Sequence, residues 1–173
     1  ANSATAVGQK ALASGEAAIA VGSETKAAAS NAVVIGNRAS VEEVASSADS
    51  GTTTGLGSVA VGAVSKASGT NATAIGQAAN AFGQNSFAGG QASKALGKSS
   101  VALGDGANAI KDSAVALGAY TNANNAGATA VGFNSNALGW ASFAGGHSAR
   151  AEASSAVALG HQAQAVGGKA VAI

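Results

Sequence analysis

The sequence predicts an all-β parallel solenoid built from fourteen-residue coils of two short strands each, and three observations predict it. Glycine recurs every fourteen residues at Gly8, Gly22 and Gly36, then at Gly62, Gly76, Gly90, Gly104, Gly118, Gly132, Gly146 and Gly160. Most of these close a phrase of the form small, hydrophobic, Ala, hydrophobic, Gly, as in Ser58 to Gly62 and Ala156 to Gly160. On both sides of the glycine, small and larger residues alternate with the period of two that marks a strand. Self-similarity at a fixed short period means coils that contact only their neighbours, so residues 1–173 are expected to form one elongated body.

Each coil divides into two strands and two turns when positions are counted from the marker glycine as zero. Before it, positions −2 and −4 are small (Ala60 and Ser58, Ala102 and Ser100) while −1 and −3 are larger (Val61 and Val59, Leu103 and Val101). After it, +3 and +5 are again small, as in Ala79 and Ala81 or Ser93 and Ala95. A two-strand coil encloses a thin slab that holds only small side chains, so alternation sends the large residues of the first strand outward. An alanine interior contributes only ~0.8 kcal/mol per buried methyl-sized group, against ~1–2 kcal/mol of backbone entropy per ordered residue. The outward hydrophobes, worth ~1.5–3 kcal/mol each when buried, therefore need a cover, and a second chain is the available one.

The predicted interface stripe comprises Ile19, Val21, Val33, Ile35, Val59 and Val61 in the earlier coils. It continues through Ile75, Phe87, Val101, Leu103, Val115 and Leu117 to Val131, Phe143, Val157 and Leu159. Closed symmetry about the rod axis would bury it from several chains, and parity alone does not choose their number. In Phe87 to Gly90 and Phe143 to Gly146, a larger residue at −3 coincides with glycine at −1, which reads as volume exchanged between neighbours on one packed face.

Composition narrows the function classes. Charged residues make up 10% and the net charge is +1, with no basic stripe for nucleic acid. The 47% hydrophobic content is mostly alanine, and no window approaches the ~18 apolar residues of a membrane span. Any export signal or anchor is expected outside this segment. Proline is absent, consistent with coils whose amides all serve a ladder, and the absence of cysteine removes disulfides and thiolate metal sites.

The phrase itself, Asn-Ala-Val-Val-Ile-Gly at residues 31–36, Asn-Ala-Thr-Ala-Ile-Gly at 71–76 and Ser-Ala-Val-Ala-Leu-Gly at 113–118, resembles the head signature of the YadA-like trimeric autotransporter adhesins. The resemblance runs along essentially the whole chain. It implies a left-handed parallel β-roll, assembled as a parallel homotrimer and displayed on a Gram-negative bacterial cell surface with outer-membrane anchoring. It implies non-catalytic, multivalent attachment to host extracellular matrix proteins or cell-surface glycans. The family's neck, stalk and membrane barrel find no match in these residues, so membrane contact is expected only through an anchor elsewhere.

Gly36 to Gly62 spans twenty-six residues, one unit plus twelve. The excess, about Val44 to Thr54, is rich in Ser, Thr, Asp and Gly and reads as an inserted loop, either a recognition loop or an insertion tolerated at a turn. Position +4 carries Lys26, Lys66, Lys94 and Arg150 with asparagines between them, either a mildly basic adhesive strip or a solvated face that keeps the rod soluble. Position +6 is apolar in Phe82, Leu96, Ile110, Leu138 and Val166, and is expected to pack against a neighbouring chain or else to form an exposed ligand-contacting patch. Tyr120, Phe133 and Trp140 lie at turns in nearby coils and are read as an aromatic contact cluster, with Trp140 either a candidate ligand residue or a buried structural one. His147 and His161 at +1 should stack below Phe133, and with no third ligand at the required spacing no metal is expected.

No nucleophile with a base and an orienting acid is apparent, so neither catalysis nor a cofactor is expected. Hexapeptide acyltransferase solenoids have three strands per coil, not two. Threonines scattered at −3 (Thr5, Thr73, Thr129) do not make the regular face an ice-binding solenoid needs. A structural spacer that lifts another binding domain remains the alternative to an adhesive head.

Overall fold

The computed structural model describes residues 3–41 and 55–173. Among these the chain has no helix, and therefore none long and apolar enough to cross a membrane. Strands of two or three residues alternate between a twelve-stranded and an eleven-stranded sheet, each built by stepping one coil at a time. All pairing is parallel and in register at fourteen residues: Thr73 pairs with Phe87, Phe87 with Val101, Asn80 with Lys94. The period-two reading of the repeat therefore holds, and the body is an all-β parallel solenoid.

The slab interior is the small set predicted from alternation. Ala60, Ala67, Ala74, Ala81, Ala102 and Ala109 are all completely buried, and so are Ser58, Ser65 and Ser93. Buried hydroxyls need partners, and the geometry supplies them locally. Ser65 and Ser93 donate to the carbonyls of Gly62 and Gly90 three residues back, at 2.9 and 3.0 Å, and Ser100 and Ser142 do the same toward Gly97 and Gly139. Among the described residues, Ser86 is the buried hydroxyl without a partner.

The two turns of a coil are built alike. At one, the amide at +3 donates to the marker glycine carbonyl, as Ala79 does to Gly76; at the other, the amide at +10 donates to the carbonyl at +7, as Ser86 does to Gly83. In both turns the third residue is left-handed, exemplified by Ala78 at φ 57° and Asn85 at φ 55°. Turn amides also continue the ladder, since Asn85 N reaches Thr70 O and Gly90 N reaches Ile75 O, each at 2.8 Å. Proline at any of these donor positions would remove a ladder or turn bond.

The marker glycine is required twice over. Gly76 has φ 130°, outside the range of L side chains, and a Cβ built there would lie 2.5 Å from the Gly90 carbonyl oxygen of the next coil. The left-handed turn residues are less demanding but still strained, most of all β-branched Val64 at φ 59°. Replacing half-exposed Val64 with glycine should therefore raise stability by about 1 kcal/mol in thermal unfolding, because a left-handed L residue costs roughly 1–2 kcal/mol and glycine gives part of that back as chain entropy.

The expected insertion at Val44 to Thr54 lies outside the described residues. The ladder on either side of it is continuous: Val33 pairs with Val59, Val34 with Ala60 and Ser40 with Lys66, so the coils meet as if adjacent. The same coil carries Val34 and Val41, the largest side chains enclosed in the slab.

Candidate functional site

Three surfaces of the rod carry side chains that the slab does not use. The first is the outer face of the twelve-stranded sheet. The strand alternation places all the predicted interface residues there in two parallel columns, −3 and −1, from Ile19 and Val21 to Val157 and Leu159. In the single chain they stay half-buried or exposed, Ile75 at 44% and Leu103 at 49%. No charged residue interrupts either column. Phe87 and Phe143 fold their rings over Gly89 and Gly145, so the volume exchange read from the sequence is present in the packing.

The second surface is the outer face of the eleven-stranded sheet. Pairing brings the four predicted cations into one column: Lys26 beside Ser40, Ser40 beside Lys66, Asn80 between Lys66 and Lys94, then Asn108, Asn122, Asn136 and Arg150. All four cations are exposed. They are not equivalent, because Arg150 Nε sits 2.6 Å from Glu152 Oε1 two residues along the same face, which offsets its charge. That pair was legible in principle, since +4 and +6 share a side of the strand.

Between Lys94 and Arg150 the column forms an amide ladder that residue types alone do not reveal. Asn108 Nδ2 donates to Asn122 Oδ1 at 3.1 Å, and Asn122 Nδ2 donates to Asn136 Oδ1 at 3.0 Å. The same nitrogens also donate to turn carbonyls two residues back, Gly106 O at 2.8 Å and Tyr120 O at 3.2 Å. The recurrence of asparagine at one position every fourteen residues was the available signal. Beside this column Phe82 and Val166 are exposed while Leu96, Ile110 and Leu138 are half-buried.

The third surface is the edge formed by the first turns. Tyr120 meets Phe133 edge to face at 5.8 Å, Phe133 stacks on His147 at 5.3 Å, and His147 stacks on His161 at 5.0 Å. The stacking expected for the two histidines is present. The expected grouping of Tyr120 and Phe133 with Trp140 is not: Trp140 occupies +8, in the turn at the opposite edge, where it stands 58% exposed. Nearness in sequence misled because a two-strand coil sends residues seven apart to opposite sides. Among the described residues no three metal-ligating side chains converge, and two imidazoles lying face to face form a stack rather than a chelate.

At the head of this column Tyr120 OH donates to Asp105 Oδ2 at 2.9 Å. That hydrogen bond, with the carboxylate's charge, raises the phenol above its ordinary value. A raised value means the interaction is present below the ordinary tyrosine range and lost as pH rises through the raised one. The chain has a single tyrosine, so its phenolate absorbance titrates alone. The midpoint is expected above that of free tyrosine, and Asp105→Ala is expected to bring it back.

The remaining charges on this edge form exposed pairs, Lys10 and Arg38 on either side of Glu24 at 3.9 and 3.6 Å. Such pairs contribute ~0–1 kcal/mol and are screened by salt.

What the geometry of the described residues offers is repeating, solvent-facing columns. Comparison with known proteins gives the same picture. No curated protein matches the chain. Among solved structures the chain is similar to the crystal structure of the collagen-binding domain of Yersinia adhesin YadA, at 37% identity and a TM-score of 0.64, covering 68% of this chain and 66% of that one. The chain thus spans just under two thirds of that domain. The YadA head domain repeat matches residues 1–25, 13–39, 54–79, 67–93, 83–107, 95–121, 109–135 and 151–173, most of the glycine-marked coils that build the solenoid, and the chain belongs to the YadA head domain family.

Proposed function

We propose that this chain is the non-catalytic head of a bacterial surface adhesin, assembled as a parallel homotrimer along its −1 and −3 columns, that attaches to host extracellular matrix through its outer walls. The observation that carries the reading is the membership of its coils in a repeat whose solved relative is a collagen-binding domain. Collagen is accordingly the first ligand to test, ahead of other matrix proteins and cell-surface glycans.

Attachment through columns has a specific consequence. Each coil and each copy presents similar chemistry, so a ligand meets many weak sites, and avidity exceeds single-site affinity by ~10²–10⁴. Lys66→Ala or Lys94→Ala alone should barely reduce binding in a solid-phase assay. Removing Lys26, Lys66, Lys94 and Arg150 together should reduce it substantially and flatten its salt dependence, with Arg150 contributing least because Glu152 offsets it. A single one of these changes that abolished binding in an intact assembly would point to a discrete pocket instead.

The deciding experiment is a binding screen of the isolated segment against collagens, fibronectin, laminin and glycans. Saturable binding to a collagen supports the adhesive head. Failure on every surface, with the assembly intact, would make the chain a spacer that positions binding carried elsewhere.

A further inference from the structure

A stripe that repeats every fourteen residues is ambiguous along its own axis. Sliding one copy past another by one coil sets Val, Ile and Leu against Val, Ile and Leu again, so burial alone specifies register weakly. Two rungs of the twelve break that uniformity. At Gly89 an added Cβ would lie 2.7 Å from Phe87 Cε1 and 2.8 Å from Leu103 Cδ1; at Gly145 it would lie 2.6 Å from Phe143 Cε1 and 3.1 Å from Leu159 Cδ1. Each ring thus fills the space its glycine vacates, and both glycines are buried in the single chain while Ile75 and Leu103 on either side of Gly89 are exposed. These rungs are bulky at −3 and bare at −1, unlike their neighbours.

We propose that the Phe87/Gly89 and Phe143/Gly145 rungs set the axial register in which copies of this chain join, an inference that rests on the association put forward above. Around a closed axis the strands run head to tail, so the −1 end of one copy faces the −3 end of the next. In register, the −3 end of this rung, which carries Phe87, lies level with the low −1 end of the next copy, where only the ring lying over Gly89 covers the backbone. One coil out of register, the ring meets the projecting Ile75 or Leu103 and overpacks, while the low surface over Gly89 meets the smaller Thr73 or Val101 and packs less closely. The two rungs have the same surroundings: each follows a threonine rung, Thr73 or Thr129, and precedes a valine rung, Val101 or Val157. They are four coils apart, so the one other slip that matches phenylalanine to phenylalanine gives up a third of the twelve rungs and leaves a ring at each end unmatched. A polar residue at one core position fixes coiled-coil register in the same manner, by making every wrong alignment locally worse.

The test uses a spin label on Gln91→Cys, at an exposed turn of a chain with no native cysteine. Pulsed electron resonance on the wild-type background should give a single narrow set of intermolecular distances. In Phe87→Val/Gly89→Leu/Phe143→Val/Gly145→Leu, with the sedimentation mass unchanged, the distances should spread toward longer values as copies slip by whole coils of about 4.8 Å. An unchanged narrow distribution in that variant overturns the proposal. Should the variant fail to assemble, a second one moves each feature one coil, adding Val101→Phe/Leu103→Gly and Val157→Phe/Leu159→Gly to those changes. Mixed with the wild type, it should form assemblies displaced by one coil or sort with its own kind, and random mixing in the wild-type alignment overturns the proposal. A monomeric wild-type chain would overturn the association and the register together, whereas an intact trimer indifferent to these rungs would overturn the register alone.

Discussion

Val115→Asp with Leu117→Asp is expected to turn a three-chain species into a monomer in sedimentation equilibrium. Both side chains lie on the outer face of the twelve-stranded sheet, on either side of fully buried Ala116, and remain half-buried in the single chain. The substitution leaves the slab interior untouched. In the proposed assembly it places two carboxylates per chain in a dry interface with no cation to pair with, since neither outer column carries a charge. An unpaired buried carboxylate costs several kcal/mol, and symmetry repeats each one in every copy, which exceeds what one rung of Val and Leu contributes. Burial favours the neutral acid, so lowering the pH should restore part of the association. Gln91→Asp, at an exposed turn, is the control and should keep the wild-type mass. A wild-type chain that is folded, soluble and monomeric at micromolar concentration would remove the basis of the interface.

The second large effect is expected inside the single chain. Gly76→Ala should lower the urea midpoint by an amount corresponding to about 3 kcal/mol or more. A side chain at φ 130° costs on its own ~1–3 kcal/mol. The new Cβ also meets the Gly90 carbonyl at 2.5 Å, contact with backbone that has no rotamer to yield. Relief requires opening the spacing between two coils, and each ladder hydrogen bond stretched in doing so costs ~1 kcal/mol. Gly168→Ala provides the contrast, because a Cβ there meets nothing within 4 Å and the φ is ordinary. It should be neutral or slightly stabilising, by about 0.4–1 kcal/mol through the unfolded chain. If both substitutions behaved alike, the marker glycines would be a compositional habit and not a steric requirement.

Much of this architecture is legible in the order of residues, for a reason particular to solenoids. A coil of two strands and two turns is short enough that its whole geometry repeats within fourteen residues, so the periods of two and fourteen together specify which side chains face inward. Ala60, Ala74 and Ala102 had to lie inside, and Val59, Ile75 and Leu103 had to lie out, once the strands were recognised. The coincidence of Phe87 with Gly89 could likewise be read as exchanged volume, because both residues sit on one face of one strand.

What the tertiary structure alone decided is the company each side chain keeps across coils and around the edge. Asn108, Asn122 and Asn136 become a hydrogen-bonded ladder only because parallel pairing holds neighbouring coils one strand spacing apart with identical side-chain directions. Tyr120 joins Phe133, His147 and His161 while Trp140, seven residues beyond Phe133, stands on the opposite edge. The coil turns the chain back on itself every seven residues, so distance along the sequence is a poor guide to distance in space. The sequence by itself determined the slab and which of its faces is greasy; stacking in the third dimension determined which polar and aromatic groups touch, because those contacts run between coils and not along the chain.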